Sequence, residues 1–235
     1  MNIKKLFTTN FYKNNNREYK ERIKKDYLIN QEFRGGGLTK EFLHGYEWKY
    51  INLYRKFQAN QDNIWGKCYR WKMKKLENKT GFSFEDNITI GDGLIIGHWG
   101  KIVINGQVQF GNQMFITHGV TVGRDIRGKR AGVPKFGDRV CIRTNSTIVG
   151  GIQIGNDVLI APNTFVNFDV PDHSIVIGNP AKIVGFSFSP EEVREHELKK
   201  YAANDRIDIC EYEKVCQRNY IDNIKQIQSY LKFRP

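Results

Sequence analysis

Bulky apolar residues recur at every sixth position through the middle of this chain. Ile90 and Ile96, then Ile104, Phe110, Ile116 and Val122, then Phe136, Ile142, Ile148, Ile154, Ile160 and Val166 make twelve such positions, and the same phase returns at Ile177 and Ile183. An α-helix repeats near 3.6 residues and a flat strand at 2, so a period of six belongs to neither. It predicts a solenoid whose coils have short flat sides, each side sending one apolar residue inward. Gly91, Gly97, Gly111, Gly123, Gly137, Gly155, Ala161 and Gly178 follow many of these positions, as tight corners that need small side chains or positive φ would require. The period breaks twice, with a step of eight between Ile96 and Ile104 and a longer insertion over 124–135. These interruptions are the places to look for chemistry.

Residues 81–186 therefore predict a mainly β fold of about five to six parallel coils, stacked at roughly the 4.8 Å spacing of neighbouring strands. The flanks follow another rhythm. In residues 1–80, Tyr19, Ile23 and Tyr27 form one helical stripe. After the Gly35-Gly36-Gly37 break, Phe42, Tyr46, Tyr50, Leu53 and Phe57 form a second. Ile64, Cys68 and Trp71 continue in a further short helix, read as packing residues. Residues 187–235 return to helix. Ser189-Pro190-Glu191-Glu192 opens it with an N-cap, a first-position proline and a capping-box glutamate, and Tyr220, Ile221, Ile224, Ile227 and Leu231 continue the pattern.

The 235 residues suffice for one sizeable core with appendages. No run of 18 apolar residues predicts a membrane span, and the first residues lack the apolar block of a secretory signal. Cys68, Cys141, Cys210 and Cys216 show no zinc-type or CxxC spacing, which fits a reduced, cytoplasmic setting. The net charge of +12 is concentrated: residues 1–80 hold 19 Lys+Arg against 8 Asp+Glu. Nucleic acid, an anionic membrane surface and a polyanionic substrate all compete to explain that excess. No nucleic-acid motif accompanies it, and solvated helix faces around an aromatic packing stripe are the simplest account.

The segments IGDGLIIGHWGKIVIN and ITHGVTVG, the basic loop after them and the closing IVIGNPAKIVG resemble the hexapeptide-repeat acyltransferases, over about residues 75–186. Within them the chain is similar to the serine acetyltransferase branch, and more so to members that modify sugars of surface polysaccharides. The resemblance implies a left-handed parallel β-helix, usually a homotrimer, that moves an acetyl group from acetyl-CoA and needs no metal. It implies that His98, in the eight-residue step, is the general base. The chemistry suits an imidazole, because an alcohol is a poor nucleophile at neutral pH and a neutral ring can accept its proton.

His118 follows by arithmetic. Both histidines come two residues after an inward residue, and their separation of 20 is one 18-residue coil plus the two-residue insertion. They should share an edge, one strand spacing apart. His118 then either binds the acceptor, tunes His98, or stacks as a polar residue at a coil edge. Trp99, with Arg127 and Arg130 of the basic loop, supplies the candidate substrate contacts; in the resembling family this loop covers a neighbouring subunit's site. For the donor, the resemblance points to Thr144, Ala161 and Asn163 as the wall along the pantetheine arm and to Lys182 at the nucleotide phosphate. Cys141 faces away from the coil interior without a basic neighbour fixed by spacing, so a cysteine acyl-enzyme is not expected.

Three departures bear on the acceptor. The resembling enzymes have Asp before the catalytic histidine, where this chain has Gly97, and an Arg-His pair where it has Gly132-Val133. Their carboxylate partner of the histidine falls on Ser83, with Glu85 and Asp86 as candidate substitutes. The missing groups help hold serine, so the expected acceptor is a sugar hydroxyl in capsule or lipopolysaccharide assembly, with serine or an amino sugar as the alternative. The basic, aromatic N-terminal region would suit a membrane-adjacent acceptor. A zinc hydro-lyase of the carbonic anhydrase type needs three histidines, and the solenoid body offers only His98 and His118, with His173 near its last coil. A non-catalytic scaffold is the remaining reading.

Overall fold

The computed structural model describes residues 9–34 and 37–186, with side chains described over 17–34 and 37–185. The tail helix opened by Ser189 and the pattern through Leu231 lie outside the described residues, as do Cys210 and Cys216. Four helices come first: α1 (Thr9–Phe33), α2 (Lys40–His44), α3 (Tyr46–Gln58) and α4 (Ile64–Thr80). Short strands follow: β1 (Phe82–Phe84), β2 (Thr89–Ile90), β3 (Ile95–Ile96), β4 (Ile102–Ile104), β5 (Gln109–Phe110), β6 (Phe115–Ile116), β7 (Thr121–Gly123) and β8 (Lys135–Phe136). The remainder are β9 (Cys141–Ile142), β10 (Thr147–Val149), β11 (Gln153–Ile154), β12 (Leu159–Ile160), β13 (Phe165–Val166), β14 (Ser174–Ile177) and β15 (Lys182–Phe186).

Every third strand pairs, which makes a three-sided parallel β-helix. One side is β1-β4-β7-β10-β13, the second β2-β5-β8-β11, and the third β3-β6-β9-β12-β14-β15. All twelve periodic positions from Ile90 to Val166 are buried along the prism axis. The column works because backbone at the corners stacks directly. A Cβ on Gly111 would sit 2.5 Å from the Gly137 carbonyl oxygen, so close approach of successive turns, not positive φ, demands glycine there.

At the last turn Ile183 is buried as expected, but Ile177 is not. Ile177 is 43% exposed, and Val170 and Val176 take the inward places instead. The cause is a short last coil: Ile154 faces Val170 and Ile160 faces Val176, each sixteen residues on rather than eighteen, and β15 then folds back antiparallel on β14.

A solenoid must have its ends covered. At the first coil α3 does this, with the Tyr50 ring edge-on to Phe82 and Phe84 at centroid distances of 4.8 and 4.9 Å. The Tyr54 hydroxyl donates to the Ile88 carbonyl at 2.9 Å. α1 covers the third side, where Ile29 and Phe33 pack on Ile95, Phe115 and Cys141. Between α1 and α3 lies a fully buried ion pair, Arg55 Nε to Asp26 Oδ2 at 2.7 Å. Arg55 also donates to the Ile90 and Gly91 carbonyls, and Asp26 accepts from the backbone N–H groups of Gly93 and Leu94.

α4 corrects a second expectation. It is 17 residues long, capped by Asn63 at one end and by left-handed Gly81 at the other. Its buried face is Gly66, Met73, Glu77 and Thr80. The expected packing stripe points outward instead, with Ile64 at 61% and Trp71 at 57% exposure.

Candidate active site

The eight-residue step forms the corner where the third side turns into the first. Gly97 opens it in a tight place, where a Cβ would press on Thr117 Cγ2 at 2.9 Å and Phe115 Cζ at 3.0 Å. The two extra residues push His98 and Trp99 out of the wall, and both are exposed. Gly100 then closes the turn at φ 149°, and a Cβ there would strike the Cβ of His118 at 2.8 Å. The corner is shaped to let His118 lie against it.

β3 pairs with β6 in the register Ile96 to Ile116, which sets the two histidines on adjacent rungs of one edge. Their ring centroids are 6.0 Å apart at an interplanar angle of 67°. Among the described residues no hydrogen bond fixes either ring. The expected substitutes for a carboxylate partner are engaged elsewhere: Glu85 Oε2 accepts the Gly106 N–H at 2.8 Å, and Asp86 pairs with Arg70. Ser83 is exposed on the first side, opposite Val103.

The helices hold this corner instead. Glu47, in the first turn of α3, accepts the Trp99 backbone N–H on Oε1 at 2.9 Å. Tyr46 meets the Trp99 indole edge-on at 5.6 Å. Arg34 donates from Nη2 to the Ile96 carbonyl at 3.4 Å and lies 4.0 Å over the Phe42 ring. Burial lowers the Arg34 pKa while the nearby Glu47 charge opposes that shift. The sequence carries no signal for this clamp, because an acidic residue in a first helical turn reads as a partner of the helix dipole.

Beyond His118 the same corner continues. Thr144 is one rung further, its hydroxyl 3.2 Å from that of Thr117. Asn163 donates its backbone N–H to the Thr144 carbonyl at 2.9 Å, and Ala161 accepts from the Ser146 hydroxyl at 2.8 Å. Above them the Gly178 carbonyl accepts from the Phe165 N–H, and exposed Lys182 starts β15 opposite Ile177. Four rung steps from His98 to Gly178 make a column of roughly 20 Å.

Arg127 and Arg130 do not join this column. Their loop leaves the far end of the first side toward the second and closes on itself through Asp125 and Gly132, with Arg130 bonded to the Asn167 carbonyl. His173 stands at the corner between the second and third sides, its Nδ1 3.2 Å from Asp157, so it does not complete a histidine triad with His98 and His118. Cys141 is buried beneath α1, and that burial pushes its thiol up to about 12, against a role as nucleophile.

No protein-family model matches the chain. It is similar to serine acetyltransferase 4 of Arabidopsis thaliana, at 36% identity over 124 residues, which is 51% of this chain and 34% of that protein. It is also similar to a serine acetyltransferase of Helicobacter pylori, at 34% over 105 residues, covering 45% and 61%. The chain thus spans from about a third to three fifths of the length of these relatives. Among solved structures, Neisseria gonorrhoeae serine acetyltransferase in complex with serine aligns with a TM-score of 0.63 at 25% identity, over 74% of this chain and 73% of that one. The relatives bear the serine acetyltransferase name, and the expected sugar-modifying branch finds no support in them.

Proposed function

We propose that this chain is an acetyl-CoA-dependent O-acetyltransferase in which His98 is the general base. The observation that supports it most is the column at one corner: an exposed imidazole at one end, His118 on the next rung, and a run of small and polar residues ending near Lys182. In the proposed reaction His98 takes the proton of the acceptor hydroxyl as its oxygen attacks the thioester carbonyl. The new C–O bond forms, the C–S bond breaks, and the departing CoA thiolate recovers the proton from the imidazolium. Thr144, Ala161 and Asn163 would flank the pantetheine arm, and Lys182 would meet a phosphate. A column open along one side calls for a second wall, which a homotrimer would supply, with the loop of Arg127 and Arg130 reaching a neighbouring copy's acceptor.

The names of the relatives make L-serine the first acceptor to test. A sugar hydroxyl is the second reading, favoured by Gly97, where an aspartate before His98 would have to displace the Thr117 methyl and the Phe115 ring, and by Gly132-Val133. The test is release of free CoA thiol from acetyl-CoA with L-serine, then with nucleotide sugars and oligosaccharides. His98→Ala should lower turnover by about 10²–10⁴-fold while leaving the thermal unfolding midpoint in place. Unchanged turnover in that variant would remove His98 as the base, and no thiol release with any acceptor would remove the activity.

A further inference from the structure

The outward stripe of α4 has no role in the core or in the column of His98. At 100° per residue, Ile64, Trp65, Cys68, Trp71, Lys72, Lys75 and Lys79 fall within an arc of about 120°. The stripe is divided along the helix axis, with the apolar and aromatic residues in the N-terminal half and the lysines in the C-terminal half. Trp65 is 48% and Trp71 57% exposed, and the Lys75 ammonium lies 3.7 Å over the Trp71 ring. Beside the lysines an open groove of about 480 Å³ runs between α4 and α3. Its floor is apolar, formed by Trp48, Leu53 and Leu76, and Lys49 adds a fourth ammonium to its rim. No acidic residue lines it. The nearest carboxylate on the helix, Glu77, is buried and already bonded to Tyr50 and Arg70.

We propose that this face of α4, with the groove beside it, docks on an anionic membrane surface. Indole rings suit the boundary between headgroups and acyl chains, and lysines reach the phosphates from there. Charge selects this occupant over a second copy of the chain, since two such faces would bring their lysine rims together. No described helix is long and apolar enough to cross a membrane, so the contact is peripheral. The proposal does not rest on acyl transfer.

The test is co-sedimentation of the full chain with vesicles of phosphatidylcholine alone and of phosphatidylcholine mixed with phosphatidylglycerol, with tryptophan emission recorded. Binding to the anionic vesicles alone, weakened by salt and accompanied by a blue shift, is expected. Each lysine near the surface contributes about fivefold, so Lys72→Gln with Lys75→Gln should lower partitioning by roughly 25-fold. Trp65→Ser with Trp71→Ser should remove the blue shift. All four positions are exposed, and circular dichroism checks that the variants fold. Equal binding to neutral vesicles, no binding at all, or binding that the lysine pair does not change would each overturn the proposal. So would glycerol phosphate binding in the groove without vesicle binding, or a sedimentation coefficient showing that the lysine pair disrupts self-association instead.

Discussion

Along the prism axis the inward column from Ile90 to Val166 is apolar, whereas the buried attachment of the preceding helices to the first coil includes an ion pair, Arg55 with Asp26. The two modes fail differently. A coil side chain is one of many similar contacts with its neighbours on adjacent rungs, so its loss is local. The ion pair is the fully buried one among several polar links to that coil, and its four partner groups on Ile90, Gly91, Gly93 and Leu94 lie just before the strand that leads to His98. The repeats make a scaffold, and the buried polar junction helps set how the helices, and with them Glu47 and Tyr46, meet the His98 corner.

The sharpest way to break that contrast is Arg55→Met, which strands a buried carboxylate. It should cost about 3–5 kcal/mol in urea unfolding, and adding Asp26→Leu should recover much of the loss. A double variant no more stable than the single would mean that the Gly93 and Leu94 N–H groups left without their acceptor cost as much as the stranded charge. Ile142→Ala, in the middle of the stack, should cost about 2–5 kcal/mol, toward the lower end if adjacent rungs relax into the space. The comparison also requires that it leave the His98 corner intact, measured as unchanged KM for acetyl-CoA.

Glu47→Ala removes the acceptor for the Trp99 N–H and should reduce kcat by about tenfold, near the 1.4 kcal/mol of one charge-assisted hydrogen bond, with little change in stability. Glu47→Gln keeps an acceptor oxygen and should restore most of the rate, which a purely electrostatic role would not allow. The smallest effect concerns charge on the coil itself. Burial alone would raise the Asp157 carboxyl, but hydrogen bonds from His173 and Arg139 hold it at about 2. The folded value lies below the usual carboxylate value of about 3.9, so its stabilisation is present above about pH 4 and lost as pH falls through about 2. Partial exposure of its partners, Arg139 at 31% and His173 at 29%, limits the effect to on the order of 1 kcal/mol. Asp157→Asn should flatten the acid limb of stability between those limits, and an unaltered limb would assign it to other carboxylates.

The six-residue period announced the β-helix because each inward residue meets its equivalents directly above and below, so the spacing is written in the chain. The pairing of His98 with His118 was legible for the same reason: counting residues per coil is counting rungs. Ile177 misled because the last coil is two residues short, which puts Val176 above Ile160 and breaks the rule that makes counting valid. The stripe of Ile64, Cys68 and Trp71 misled because helical spacing shows which residues share a face but not which face meets the core. Glu47 was invisible, 52 residues from the backbone group it binds.

The chain alone determined the architecture of its middle, the edge on which the two imidazoles stand and the excess of positive charge near its start, since all three depend on local spacing or simple composition. Only the folded molecule decided that Glu47 and Arg34 hold the His98 corner, that Asp26 and Arg55 join helix to coil, and that the α4 stripe is left outside. Each of those is a contact between segments far apart in the chain, and no repeat connects them, so nothing but the packing of one body against another could select them.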